Sequence, residues 1–320
     1  VFHLESLEEQ KKVWFSGITK ETFVALQNSA AGSWQPIELA LELDRPEWYE
    51  AYLSMESAAF FDAYFRKNQI PDPPLFHPDR LYIGNAFCPH LAPTEEELFA
   101  LMDKACRESF SITLTFPFLL EENLSETQQR LQRLAEWCER KDKTVELVVN
   151  DWGMASLVKK SRRNLIPSLG ILLNKRRKDP RIPFKKGEQK WFERNSLNAG
   201  FYRNFLEREY GIQRFEWESC GYKQQIPPGK NSLHIPFYQT NTSQYCPLGA
   251  VCETGERGRQ KLAKKCPGYC TEYALLYPEH LHMIGRYNSL FGIDMRILKE
   301  EEILKNYIQN GVDRVVIRAW

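Results

Sequence analysis

The chain has 320 residues, 42% of them apolar and 13% aromatic, enough to bury a sizeable core, which excludes a disordered, collagenous or coiled-coil protein. Its 43 basic and 42 acidic side chains nearly cancel, so total charge points to neither nucleic acid nor a membrane surface as a partner. No run approaches the ~18 apolar residues of a membrane span, and the start, VFHLESLEEQKK, lacks the apolar stretch of a signal peptide; the sequence reads as soluble and cytoplasmic, with Val1 in place of Met leaving room for a lost leader.

Residues 1–35 mix short apolar and polar pieces with weak helical periodicity and read as an N-terminal extension packed on the domain that follows. From residue 36 to 320, strand-length apolar runs alternate with amphipathic stretches of helix length, the pattern of repeated β-α units. Eight strands are expected, at 37–43, 80–84, 111–116, 145–150, 168–173, 214–218, 232–237 and 313–318. Between them, Thr94 with Glu97, and Ser125 with Gln128, have the spacing of capping boxes opening helices that run to Cys106 and Lys141. Eight such periods predict an α/β fold, a single (β/α)8 TIM-like barrel. The competing doubly wound sheet lacks support, because no GxGxxG or Walker loop follows a strand. Pro71–Pro78 (PDPPLFHP) reads as a stiff connector, and 280–295 as a hairpin-like insertion beside the last strand.

Charge is unevenly spread. Residues 159–194 hold thirteen Lys and Arg against Asp179, Glu188 and Glu193, with Phe184, Trp191 and Phe192 interleaved. Residues 174–190 lack apolar periodicity and are expected as an exposed basic loop after strand five. It suits a solvated face, a protein-docking surface, or RNA whose phosphates meet Lys175, Arg176, Arg177 and Lys178. Trp191, Phe192, Phe201, Tyr202 and Phe205 crowd the adjoining stretch and suggest a contact with a second subunit, core packing being the alternative.

Four of the eight cysteines fall within 25 residues, Cys246, Cys252, Cys266 and Cys270, at spacing C-x5-C-x13-C-x3-C in a Gly- and Lys-rich stretch that has no packing use for thiols. That pattern points to metal ligation, by zinc or by an iron–sulfur cluster, and the irregular spacing suits a cluster better. Cys88 follows strand two and the other four follow strand seven, which a barrel places on one face. Cys106 and Cys138 lie in amphipathic helices as packing residues, and Cys220, after strand six, is a spare. Asn150 and Asp151, ahead of Gly153 at the end of strand four, are either catalytic groups or a local turn. His234 in strand seven is either a mouth residue or a satisfied core histidine, and Tyr238, Gln239 and Asn241 follow it.

Four segments carry a family resemblance: LYIGNAFC (81–88), VNDWG (149–153), AVCETGERGRQKLAKKCPGYCTEY (250–273) and GVDRVVIRAW (311–320). They resemble the collagenase-like peptidase superfamily numbered U thirty-two, and within it the UbiV branch of oxygen-independent ubiquinone hydroxylation. The resemblance implies a 4Fe-4S cluster on Cys88, Cys252, Cys266 and Cys270, with Cys246 left over. It also implies a hydroxylation or related modifying system, a small-molecule substrate and a second iron–sulfur barrel subunit as partner. RNA modification, which other members of the superfamily perform, and a non-catalytic cluster-bearing or electron-carrying role are its alternatives. No HExxH, GxSxG or Cys–His frame of a protease is present.

Overall fold

The structure, a computed structural model, describes residues 3–15, 37–69, 77–161, 164–182, 185–261 and 265–319. Most of the expected Pro71–Pro78 connector, as well as Phe184 and residues 16–36, lies outside the described residues.

Among the described residues, thirteen strands form two sheets: β1 His3–Ser6, β2 Glu38–Leu43, β3 Arg80–Gly84, β4 Ser111–Thr115, β5 Val145–Val149, β6 Leu165–Leu169, β7 Arg214–Glu218, β8 Lys230–Ile235, β9 Phe237–Thr242, β10 Tyr273–Leu276, β11 Met283–Arg286, β12 Ser289–Ile293 and β13 Arg314–Ile317. Eight of them close a parallel barrel in the order β13-β2-β3-β4-β5-β6-β7-β8, the (β/α)8 architecture expected from the sequence. The helices are α1 Leu7–Trp14, α2 Pro46–Ser54, α3 Ser57–Lys67, α4 Glu95–Arg107, α5 Leu124–Lys141, α6 Trp152–Lys160, α7 Gln189–Glu193, α8 Gly200–Phe205, α9 Pro247–Thr254, α10 Arg296–Lys299 and α11 Glu301–Gln309. The longer ones, α3, α4 and α5, bury an apolar stripe each, as α3 does with Phe60, Phe61, Tyr64 and Phe65, and each such side chain contributes roughly 1.5–3 kcal/mol.

The strand expected at 168–173 is instead Leu165–Leu169. The chain turns at Gly170, whose carbonyl accepts from the N–H groups of Leu173 and Asn174 at 3.0 Å each, and the apolar run continues only because Ile171 and Leu173 are buried beneath the loop. A side chain at Gly170 has no room, since a Cβ there meets Asn150 Oδ1 at 2.2 Å. Of the two capping boxes, that of Thr94 forms, with Thr94 Oγ1 accepting from Glu97 N (3.3 Å) and Glu97 Oε2 from Thr94 N (2.8 Å). The second does not: a 3-10 turn, Glu121–Asn123, leads into α5 at Leu124, leaving Ser125 inside the first turn.

The second sheet, β1-β10-β11-β12-β9, is antiparallel. The hairpin expected at 280–295 is β11 and β12, and the N-terminal stretch supplies the edge strand, pairing His3 with Leu276 and Ser6 with Tyr273. This sheet branches off the barrel directly after β8.

Alternation along the barrel strands puts charged residues inside. In β2 (ELALEL) Glu38 and Glu42 lie two turns of the pleat apart with Ala40 between them, and β7 (RFEWE) does the same with Arg214, Glu216 and Glu218. Their partners come from the neighbouring strand β13, whose arginines also reach carboxylates farther round the barrel. Arg314 pairs with Glu38 (2.6 Å) and Glu146 (2.6 Å) and donates to the Tyr82 hydroxyl (2.8 Å); above it, Arg318 pairs with Glu42 (2.6 Å) and Glu218 (3.4 Å). Burial opposes ionisation of Glu42, but Arg318 and His234 outweigh it and hold its carboxyl down at about 2. Glu146 is held at about 2 against burial by Arg314 in the same way.

Candidate functional site: a four-thiol cavity

Cys88 stands on the loop after β3, fixed by Asn85, whose Oδ1 accepts from the N–H groups of Phe87 and Cys88 at 2.8 Å each. Asn85 itself donates to the carbonyl of Asp44 after β2 (2.9 Å), so the loop is tied to the neighbouring strand. Cys246 caps the N-terminus of α9: Pro247 occupies the first helical position, where its missing N–H costs nothing, and Cys246 Sγ accepts from Gly249 N at 3.2 Å. The helix ends at Gly255 in the left-handed conformation (φ 71°). Cys266 and Cys270 flank a tight turn at Gly268 (φ 79°), a backbone angle that suits glycine, and the turn runs straight into β10.

These three segments surround one cavity of about 780 Å³, lined by Cys88, Cys246, Cys266 and Cys270, walled by Phe118, Tyr269 and Tyr287, and rimmed by Arg259, Lys261 and Lys265. Cys252 is not on it. Gly249, Ala250 and Glu253 present the cavity face of α9, whereas Cys252 packs half-buried against the core on another face of the same helix. The thiols sense one another. Burial, then the charges of Cys270, Cys246 and Cys266, pushes Cys88 far above the ordinary thiol range. Burial lifts Cys246 to about 11 against the pull of the Gly249 N–H. Cys252 is raised by burial and Glu253 alone. Among the described residues, no three His, Cys, Asp or Glu side chains converge closely enough to grip a metal ion as they lie.

The other sequence candidates have structural partners. Asn150 donates to the Phe116 carbonyl (2.9 Å) and accepts from Leu172 N (3.3 Å). Asp151 caps α6 through Met154 N (2.8 Å), and its second oxygen accepts from Leu119 N (2.8 Å), so both carboxylate oxygens are engaged in holding loops. His234 points into the barrel, with Nε2 2.9 Å from Glu216 and Nδ1 3.5 Å from Glu42; burial disfavours its charge, but the two carboxylates raise its pKa on balance. Tyr238 is buried, Gln239 accepts from Lys178 (2.8 Å), and Asn241 is exposed farther along β9. Cys138 is buried in the helical layer and Cys106 packs against it from the rim of the core.

The basic stretch departs from the exposed loop expected. Arg176 and Lys178 turn inward, their side chains 4% and 9% exposed, and both reach Glu218 at 3.3 Å at the barrel mouth; Ile182 is buried as well. A carboxylate inside the barrel, invisible to local pattern, draws them in. Lys175 and Arg177 remain exposed.

A second cavity, of about 640 Å³, was not legible in the sequence because its walls come from α1, the segment after β7 and the second sheet: Trp14, Cys220, Tyr238, Tyr277, Asp294 and Met295 line it. Gly292 makes its floor possible, as a Cβ there lies 2.0 Å from Tyr238 Cζ.

No family model matches the chain, and no curated protein matches it. The fold and the site define it as a (β/α)8 barrel bearing an antiparallel sheet and a thiol-lined cavity at the ends of its strands. Among the described residues, no helix is long and apolar enough to cross a membrane.

Proposed function

We propose that the chain is an iron–sulfur protein of an oxygen-independent hydroxylation or related modifying system, as its resemblance to the UbiV branch implies. A 4Fe-4S cluster is held by Cys88, Cys266 and Cys270, with Cys246 as the fourth ligand. The observation that carries this reading is that four thiols from three separate segments open on one cavity, with cations on its rim to favour thiolate and cluster charge. Cys252, the ligand that the resemblance implies, lies off that cavity. Such a cluster supplies one-electron transfer when bound. The chain's own part is to position the thiols that would hold it and to exclude water with Phe118, Tyr269 and Tyr287. Zinc is the competing occupant of the same thiols.

A small-molecule substrate fits the 640 Å³ cavity, where the aromatic and thioether walls of Trp14, Tyr238, Tyr277, Met283 and Met295 stand beside polar groups such as His282, Asp294 and Arg296. The partner is a second iron–sulfur barrel subunit that covers the exposed aromatic face, where Phe201 is 79%, Trp191 57% and Phe205 43% exposed. RNA as substrate has less support, because Glu218 engages two of the four cations at 175–178.

Anaerobic purification with an absorption spectrum and assays for iron and acid-labile sulfide tests the cluster. Four irons and four sulfides per chain are expected for a 4Fe-4S cluster. Stoichiometric zinc without sulfide overturns it. Salt-sensitive RNA binding that disappears when Lys175 and Arg177 are neutralised would favour the RNA reading instead.

A further inference from the structure

After β6 the chain makes a basic excursion: residues 175–194 hold nine Lys and Arg against Asp179, Glu188 and Glu193. Its first four cations alternate. Arg176 and Lys178 reach inward to Glu218, so Lys175 and Arg177, their immediate neighbours in the chain, are turned outward, and both are exposed. The segment is pinned from its other side as well. Ser196 N donates to the Lys175 carbonyl (3.1 Å), the backbone of Arg176 forms an antiparallel bridge with Asn195, and Arg177 Nη1 donates to the carbonyl of Trp191 (3.3 Å). Drawing Arg176 and Lys178 into the barrel mouth thus fixes where the outer cations stand, beside α7 and its exposed Trp191.

The aromatic rings of this face already carry partners. Arg194 lies 5.3 Å over Trp191, Arg177 5.2 Å over Phe192 and Lys159 5.7 Å over Tyr210, while Tyr202 and Phe205 stack on each other (6.4 Å apart, 15° between planes). Trp152 on α6 extends the same cluster through Phe205 and Tyr210. An RNA base needs an open ring face to stack on, and one face of each of these five rings is occupied. Exposed aromatics interleaved with Arg are instead the composition of a protein interface, whose strongest contacts come from Trp, Tyr and Arg.

We infer, building on the second-subunit reading above, that this face docks an acidic protein surface: carboxylates of the partner meet Lys175, Arg177 and Arg194, while Trp191 and Phe201 supply the apolar contact. Even with Arg176 and Lys178 committed to Glu218, cations outnumber carboxylates along 175–194, so a basic surface is repelled here and an acidic one is drawn in. Holding the outer cations in place before the partner arrives lowers the ordering cost of binding.

The test is cross-linking with a water-soluble carbodiimide, which joins a Lys amine to a carboxylate in contact with it, on the complex purified anaerobically from its native source. Mass spectrometry of the linked peptides is expected to find Lys175 or Lys190 joined to Asp or Glu of the second chain. Binding of the co-purified second chain, followed by interferometry, is expected to weaken as salt rises, and Lys175→Glu combined with Arg177→Glu to weaken it roughly tenfold. Lys12→Glu, a charge reversal at an exposed position on α1, leaves it unchanged. A complex whose links omit these lysines, and whose affinity ignores both salt and the double variant, overturns the acidic docking surface and leaves the second subunit standing. Release of the second chain by ribonuclease overturns it in favour of RNA. A protein that purifies strictly as a monomer removes the docking surface and the second subunit together.

Discussion

The barrel interior and the thiol cavity both bury ionisable side chains, and they put them to different use. Inside the barrel each cation has a carboxylate at contact distance: Arg314 with Glu38 and Glu146, Arg214 with Asp313, Arg318 with Glu42 and Glu218. At the cavity, burial raises the thiols of Cys88, Cys246 and Cys270, and Arg286 and Arg45 pull against it at Cys270. The first region is complete as a protein structure, and its polar groups serve to hold the strands in one register. In the second, thiols from three separate segments open on one cavity, with Arg259, Lys261 and Lys265 on its rim.

The contrast can be broken at either end. Its largest expected effect is at the cavity: Cys88→Ser, Cys266→Ser or Cys270→Ser is expected to abolish iron and sulfide binding, and Cys246→Ser to do the same, whereas Cys252→Ser retains both, as measured by metal analysis of anaerobically prepared protein. Loss in Cys252→Ser with retention in Cys246→Ser would return the fourth ligand to the position that the resemblance implies.

In the barrel, Arg314→Met removes the closest cation of Glu146 and leaves Arg80 as the one that Glu38 (2.6 Å) and Glu146 (3.7 Å) share. Breaking a buried pair from one side costs about 3–5 kcal/mol, which urea unfolding would register. Acid offers a milder route. Glu42 and Glu146 titrate near 2 in the folded chain, below the ordinary carboxyl value of about 4.3 in the unfolded one, so the stability they contribute is present above that value and is lost as pH falls toward 2. Unfolding free energy measured from pH 5 down to 2 should decline in that window, and the decline should flatten in Glu42→Gln. A flat profile in the wild type would show these pairs to be weaker than their geometry suggests.

Smaller effects mark the edges of the comparison. Gly292→Ala drives a methyl into the Tyr238 ring and is expected to cost about 1–3 kcal/mol, with the second cavity reshaped. Thr94→Ala, which removes the capping box far from both regions, should cost about 1 kcal/mol and leave iron content unchanged. Thermal melts of the two variants, read beside their iron content, separate damage to the scaffold from damage to the site.

What the sequence determined by itself is whatever short-range periodicity encodes. ELALEL and RFEWE state their inward and outward faces in their own alternation, Thr94 and Glu97 meet because three residues of helix bring them together, and the cysteine spacing announces a site without reference to the fold. Cys88 joined it by the rule that loops after barrel strands share a face. The tertiary structure alone decided the rest. His3–Ser6 becomes an edge strand only because Tyr273–Leu276 offers it an open partner, and Arg176 and Lys178 leave solvent only because Glu218 waits inside the barrel. Cys246 and Cys252 are equivalent letters in the sequence until α9 is seated, when one faces the cavity and the other the core. In each case the deciding partner lies tens to hundreds of residues away or on an element whose rotation is set by packing, and neither is written in any local pattern.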